Sequence, residues 1–165
     1  MTYVITDQLA GSQAVADTST TQKHPLGTVV RGVDPTYGAA EFIYLKGVAS
    51  TVVGSVVTYN TTSFATALAA VGTNLPQPIA IAMSANVASQ YGWYQVSGIA
   101  VAKKAAGTSL AANAVVGVKT IGLVAATGTG KEVQGALVAA VASAKSDVTT
   151  VSLVVNRPHM QGRIT

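Results

Sequence analysis

Cysteine is absent from the 165 residues, which excludes a disulfide framework, a thiolate nucleophile and any cysteine-based metal site. Charge is scarce as well. Asp, Glu, Lys and Arg make up 10% of the chain, against roughly 25% in an average soluble domain. A surface so short of solvating groups is either built from Thr, Ser, Asn and Gln or covered by copies of the chain or by a partner. The second reading is favoured, because large exposed apolar patches mark interaction sites. No stretch approaches the ~18 continuous apolar residues of a membrane-spanning helix. The opening MTYVITDQLAGSQ lacks a basic segment followed by a long apolar one, so no signal peptide is expected. A soluble compartment and no membrane partner follow as expectations.

The ten Lys and Arg exceed the six Asp and Glu, giving a net charge of +4. A nucleic-acid surface gathers such charge into a patch. Here Lys23, Arg31, Lys46, Lys119, Lys131 and Lys145 are scattered, and only Lys103 and Lys104 are adjacent. No aromatic residues interleave with them as stacking platforms would require, so no direct nucleic-acid binding is expected.

What is present is β-sheet texture. Residues 1–26 read as an arm, small and polar but with apolar anchors at Tyr3, Ile5 and Leu9; such a segment orders when it lies along a surface. Residues 27–156 read as one all-β domain, a small barrel or sandwich of about eight short strands with glycine-marked turns. Gly27–Val33 is a β-branched run closed by the turn Asp34-Pro-Thr-Tyr-Gly38. Glu41–Val48 alternates, and Gly54–Asn60 follows as though across a hairpin with a generous connection. Thr61–Gly72 fits either a helical turn or a strand and loop. Ile79, Ile81 and Met83 alternate with alanine as in a strand. Gln90–Lys103 is the strongest β signal, with Gly98 marking a bulge or bend. Further strands are expected at Ala114–Lys119, Ile121–Ala126 and Thr149–Asn156. Over Glu132–Ala144 a strand is preferred to a helix, since Gly135 and the valines disfavour helix. Residues 157–165 read as a short exposed tail in which Pro158 ends sheet pairing.

No residue set able to do chemistry stands out, and neither an enzymatic activity nor a cofactor is expected. Gly128-Thr-Gly-Lys131 fails as a phosphate loop: Ala125 replaces the first glycine, and Glu132 replaces the hydroxyl residue and would repel phosphate. His24 and His159 are the only histidines; each neighbours a proline, and neither has a metal-ligand partner at suitable spacing. The carboxylates Asp7, Asp17, Asp34, Asp147, Glu41 and Glu132 form no sequence pair. The serines lack the Gly-x-Ser-x-Gly elbow. Tyr91, Trp93 and Tyr94 hold three of the nine aromatic residues and read as a core or inter-subunit anchor, with a sugar-stacking platform as the alternative. The candidate interface residues are therefore Tyr3, Ile5 and Leu9 of the arm, Tyr91, Trp93 and Tyr94 of the central strand, and Arg157, Met160 and Arg163 of the tail.

Two blocks carry a resemblance. Residues 32–51 (GVDPTYGAAEFIYLKGVAST) and 82–95 (AMSANVASQYGWYQ) resemble the capsid decoration, or cement, proteins of tailed bacteriophage heads. The similarity covers roughly residues 26–104 and includes no catalytic motif. It implies a β-barrel or sandwich made in the host bacterial cytoplasm and seated on the outer face of the virion. Its partners would be the major capsid protein and further copies of itself, with a trimer favoured over a dimer. Another virion component, of tail or fibre, and a carbohydrate-binding β-module are the alternatives.

Overall fold

A computed structural model describes residues 2–7, 13–72, 76–129, 131–143, 145 and 148–162. These form eleven strands and no helix. The strands are β1 (Val4–Ile5), β2 (Val29–Asp34), β3 (Gly38–Lys46), β4 (Val56–Tyr59), β5 (Thr66–Leu68), β6 (Ile79–Ala82), β7 (Tyr91–Lys103), β8 (Val115–Thr120), β9 (Leu123–Ala126), β10 (Glu132–Val138) and β11 (Thr150–Met160). They join in one antiparallel sheet ordered β1-β2-β3-β7-β11-β10-β8-β9, from which β6, β4 and β5 branch at β7.

β7 is the spine because it is long enough to serve several neighbours along its length. Its first half pairs with β3, from Lys46 opposite Tyr91 to Glu41 opposite Ser97. Ile81 and Ala82 of β6 face Gln95 and Tyr94. Its second half pairs with β11, from Ser97 opposite Asn156 to Lys103 opposite Thr150. The bend expected near Gly98 is present. Phe42 faces Gln95 and Glu41 faces Ser97, so Val96 is an extra residue, as in a β-bulge. Gly98 follows at φ +95°, where an added Cβ would lie 2.6 Å from the Ala39 carbonyl oxygen.

Alternation then distributes side chains among three cores. Trp93 joins Tyr3, Val15, Val30, Phe42, Tyr44 and Met83 on one side of the sheet. Tyr94 and Val96 join Ile43, Leu45, Val57, Ala80 and Ala82 on the other. Beyond the bulge, Ala100 and Ala102 pack into the largest core, with Val116, Val118, Val133, Val138, Val151, Leu153 and Val155 of β8, β10 and β11. Small residues on β7 let these neighbours approach closely, which explains the alanine-rich texture.

Three sequence expectations are corrected. The sheet is not closed into a barrel. Among the described residues β9 returns to the end of β7 through the isolated Lys104–Val124 bridge and the Ala105 N–H to Val124 carbonyl bond of 2.8 Å, not through a strand ladder, so the sandwich-like reading is the one supported. β3 and β4 are not a hairpin, since β4 pairs with β5 and β6, and the Gly54 N–H instead bonds the Ala82 carbonyl. Pro158 does not end pairing. Arg157 at φ +44° and Pro158 form an irregularity opposite Gly135 at φ +76°, after which His159 and Met160 resume pairing with Gln134 and Val133. The positive-φ residues absorb the missing proline donor. The ambiguous segments resolve as strands: β5 lies in the first and β10 in the second.

Candidate functional site

The N-terminal segment lies along its own chain. Val4 and Ile5 pair with Val33 and Gly32, and the Tyr3 hydroxyl donates to the Ile99 carbonyl at 2.7 Å while its ring meets Phe42 edge-on at 5.2 Å. Residues 13–24 form a strap over β3 and β7, held chiefly by Gln13. Its side-chain amide nitrogen donates to the carbonyls of Asp17 and Tyr91 at 2.7 and 3.1 Å. Its side-chain oxygen accepts the Tyr44 hydroxyl at 3.0 Å, and its carbonyl accepts the Trp93 indole N–H at 2.9 Å. Ser19 and Tyr91 exchange backbone bonds of 3.0 and 2.8 Å beside it.

The aromatic residues fill the space beneath this strap. Tyr44 meets Trp93 edge-on at 4.9 Å and stacks with Tyr91 at 6.5 Å. The buried His24 ring lies 5.2 Å from Tyr44 and 5.4 Å from Trp93. Trp93 is fully buried, and only Tyr91 of the expected cluster reaches partly to solvent. Tyr94 points to the opposite core, where Asn86 Nδ2 donates to its hydroxyl at 3.0 Å. Burial pushes the Tyr94 hydroxyl above its ordinary pKa, and burial does the same to Tyr3, Tyr44 and Tyr59.

The other candidates scatter. Ile5 is half-buried and Met160 is buried in the largest core, its N–H bonded to the Gln77 carbonyl at 2.9 Å. Arg157 is exposed and bonds Glu41 at 2.8 Å, with Arg31 3.6 Å from the other carboxylate oxygen. Leu9 and Arg163 lie outside the described residues. Tyr3, Trp93 and Tyr91 therefore belong to one core cluster, whereas Tyr94, Arg157 and Met160 lie outside it.

The Asp34 carboxylate is spent on structure. Burial works to raise the Asp34 carboxyl, but backbone N–H donors from Thr2, Thr36 and Tyr37 outweigh it and hold the group below its ordinary value. Those bonds, of 2.6, 2.8 and 3.0 Å, fasten the N-terminus and the β2–β3 turn together. Among the described residues, no three His, Cys, Asp or Glu side chains stand close enough to hold a metal ion.

Two grooves and one outer sheet face stand out among the described residues. A largely apolar groove of about 390 Å³ runs between the N-terminal segment and β7, lined by Tyr3, Val15, Val53, Met83 and Val101 among others. A more polar groove of about 350 Å³ lies beside Tyr59, Asn60 and Gln77. The sheet face is the outer side of β8, β10, β11 and β7, where Val115, Leu137 and Val154 are 38%, 42% and 47% exposed. Sequence reasoning missed this face and Gln13. The face had a signal, since Val154 falls on the polar phase of β11 with Thr150, Ser152 and Asn156; Gln13 had none. No protein-family model, curated protein or solved structure matches this chain.

Proposed function

We propose that this chain is a structural virion protein, a decoration protein that binds the outer surface of a phage capsid and stabilises contacts between major capsid subunits. The observation that carries the reading is the position of the two blocks resembling such proteins. Residues 32–51 contain the β2–β3 turn and β3, and residues 82–95 lead into β7; the blocks lie side by side, with Phe42, Ile43, Tyr44, Leu45 and Lys46 paired to Gln95, Tyr94, Trp93, Gly92 and Tyr91. Stretches far apart in sequence thus make one packed unit, as expected of a shared fold element.

The surface supports the same reading. The chain exposes 7732 Å², against roughly 7,600 Å² for a compact monomer of this mass. The scarcity of charge is therefore not explained by unusually deep burial. Apolar side chains lie on the outside instead, among them Val4, Val33, Val53 and Val141, and such surface is available for contact. The proposed action is mechanical. A rigid sheet contacting several capsid subunits multiplies one modest interface by effective concentration. The test is to add purified protein to undecorated heads and measure co-sedimentation and resistance to heat. Binding with increased heat resistance is expected; failure of both would sink the reading.

The groove beside Tyr59 favours a second reading, a carbohydrate-binding β-module. Trp93 and Tyr94 are buried and offer no stacking surface, whereas Tyr59 is half-exposed beside the amides of Asn60 and Gln77. A glycan array with Tyr59→Ala as control tests it, and saturable binding lost in the variant would support it.

A further inference from the structure

We propose that the outer face of β7, β11, β10 and β8 is the contact surface for a second copy of this chain, packed face to face about a two-fold axis. The inference does not depend on capsid binding.

The register of the sheet carries it. Val115 lies opposite Leu137, Leu137 opposite Val154, and Val154 opposite Ile99. Directly opposed residues in a sheet point to the same side, so these four side chains form a continuous row across four strands. Val116, Val138, Val155 and Ala100, each next in sequence to a member of the row, are buried in the largest core on the other side. The row is thus the solvent side of a sheet whose inner side is already filled. Isolated exposed valines are ordinary, but a four-strand apolar row in register is not.

The size and charge of the face favour a second copy as occupant. Four strands at ~4.8 Å spacing and ~20–35 Å long project roughly 500 Å². Side chains standing out from the sheet raise the accessible area toward the ~800 Å² per partner of a standard interface. The row itself is uncharged, and Ser152 and Asn156 flank Val154 on β11. A second copy covers this row without desolvating a charge within it. Lys103 at the end of β7 and Glu132 at the start of β10 stand at diagonal corners. A two-fold axis along the other diagonal sets each lysine toward the partner copy's glutamate.

Beside Leu137 and Val154, the Gly135 irregularity leaves a shallow hollow of about 290 Å³, and an isologous contact brings this same patch from both copies together.

Sedimentation equilibrium at about 0.1 mM tests the proposal. The wild type is expected at twice its 16.6 kDa monomer mass. Val154→Lys and Leu137→Glu are expected at the monomer mass while still folded, with a melting temperature that no longer rises with protein concentration, while Val4→Lys, at the far edge of the sheet, stays dimeric. Because the chain has no cysteine, Val154→Cys reports independently. Mild oxidation should cross-link it into a covalent dimer, and Val4→Cys should not follow. A monomeric wild type, a trimer, or a dimer insensitive to both face variants would overturn the proposal. So would a monomer whose binding to heads is lost in Val154→Lys, which would assign the face to the capsid. Failure of the wild type to bind heads, with the dimer intact, would count only against the decoration reading.

Discussion

Replacing Gln13 by alanine removes three side-chain hydrogen bonds from the strap, and the structure apportions their worth. The bond to the Asp17 carbonyl lies in solvent, where water replaces it at almost no loss. The Tyr91 carbonyl keeps the Ser19 N–H at 3.0 Å, so losing Gln13 there costs about 1 kcal/mol. The Tyr44 hydroxyl is different. Its residue is fully buried, it already accepts the Lys23 N–H at 3.2 Å, and Gln13 is its acceptor. Left without one, it carries a desolvation penalty of about 1–3 kcal/mol. The total is about 2–4 kcal/mol, or roughly a 30- to 700-fold change in the folded-to-unfolded ratio. Trp93, the only tryptophan, reports on the site directly because its indole N–H bonds the Gln13 carbonyl. Urea unfolding followed by its fluorescence should show the loss as a lower midpoint at unchanged slope. Hydrogen exchange should quicken first at the Lys23 and Tyr91 amides. A loss under about 0.5 kcal/mol, with those two amides unchanged, would refute the view that Gln13 holds the strap.

Gly98→Ala puts a Cβ 2.6 Å from the Ala39 carbonyl oxygen at φ +95°; strain of about 1–3 kcal/mol before the clash is counted should lower the thermal midpoint more than the exposed change Ala39→Ser does. Leu153→Ala empties part of the largest core and should cost about 2–5 kcal/mol in equilibrium denaturation. Asp34 gives an acid signature. Its folded-state pKa lies below the ordinary 3.8, so its contribution is present above that value and is lost as pH falls through the folded-state pKa. Asp34→Asn should be less stable than wild type at neutral pH, and the gap should close in acid; a gap constant from neutral pH down to pH ~2 would contradict the assignment.

The strand positions were legible because half-buried strands alternate, and turn residues mark their ends. Asp34-Pro-Thr-Tyr-Gly38 predicts a tight reversal, and the Asp34 carboxylate accepting the Thr36 and Tyr37 N–H groups is the physical reason it holds. Alternation says less where both faces are buried. Phe42 and Tyr44 point to one core and Ile43 and Leu45 to another, so neither phase of β3 could be assigned to solvent. It also cannot say which strands meet. The glycines at 47 and 54 suggested a hairpin, yet Gly47 serves a different need. An added Cβ there would lie 2.0 Å from the Asn86 carbonyl oxygen, because the β6–β7 loop crosses it closely. That crossing is a contact between distant residues, and local propensity does not encode it.

The chain ends show the same limit and explain why the candidate site was only partly legible. Pro158 removes one backbone donor, which ordinarily ends a strand. Here Arg157 and Gly135 take positive φ on opposing strands, the chain steps past the proline, and Met160 returns to the core. At the other end, the polar run that reads as an arm ordering along a surface is ordered by its own chain, through the Tyr44 hydroxyl, the Trp93 indole and the Tyr91 carbonyl. The aromatic cluster was visible in sequence as a place where something must be anchored. What it anchors is the chain's own strap, and that occupancy withdraws Trp93 from contact with any partner. Among the described residues the outward face across β8, β10, β11 and β7 has no such internal occupant, and it is there that the proposed contact between copies falls.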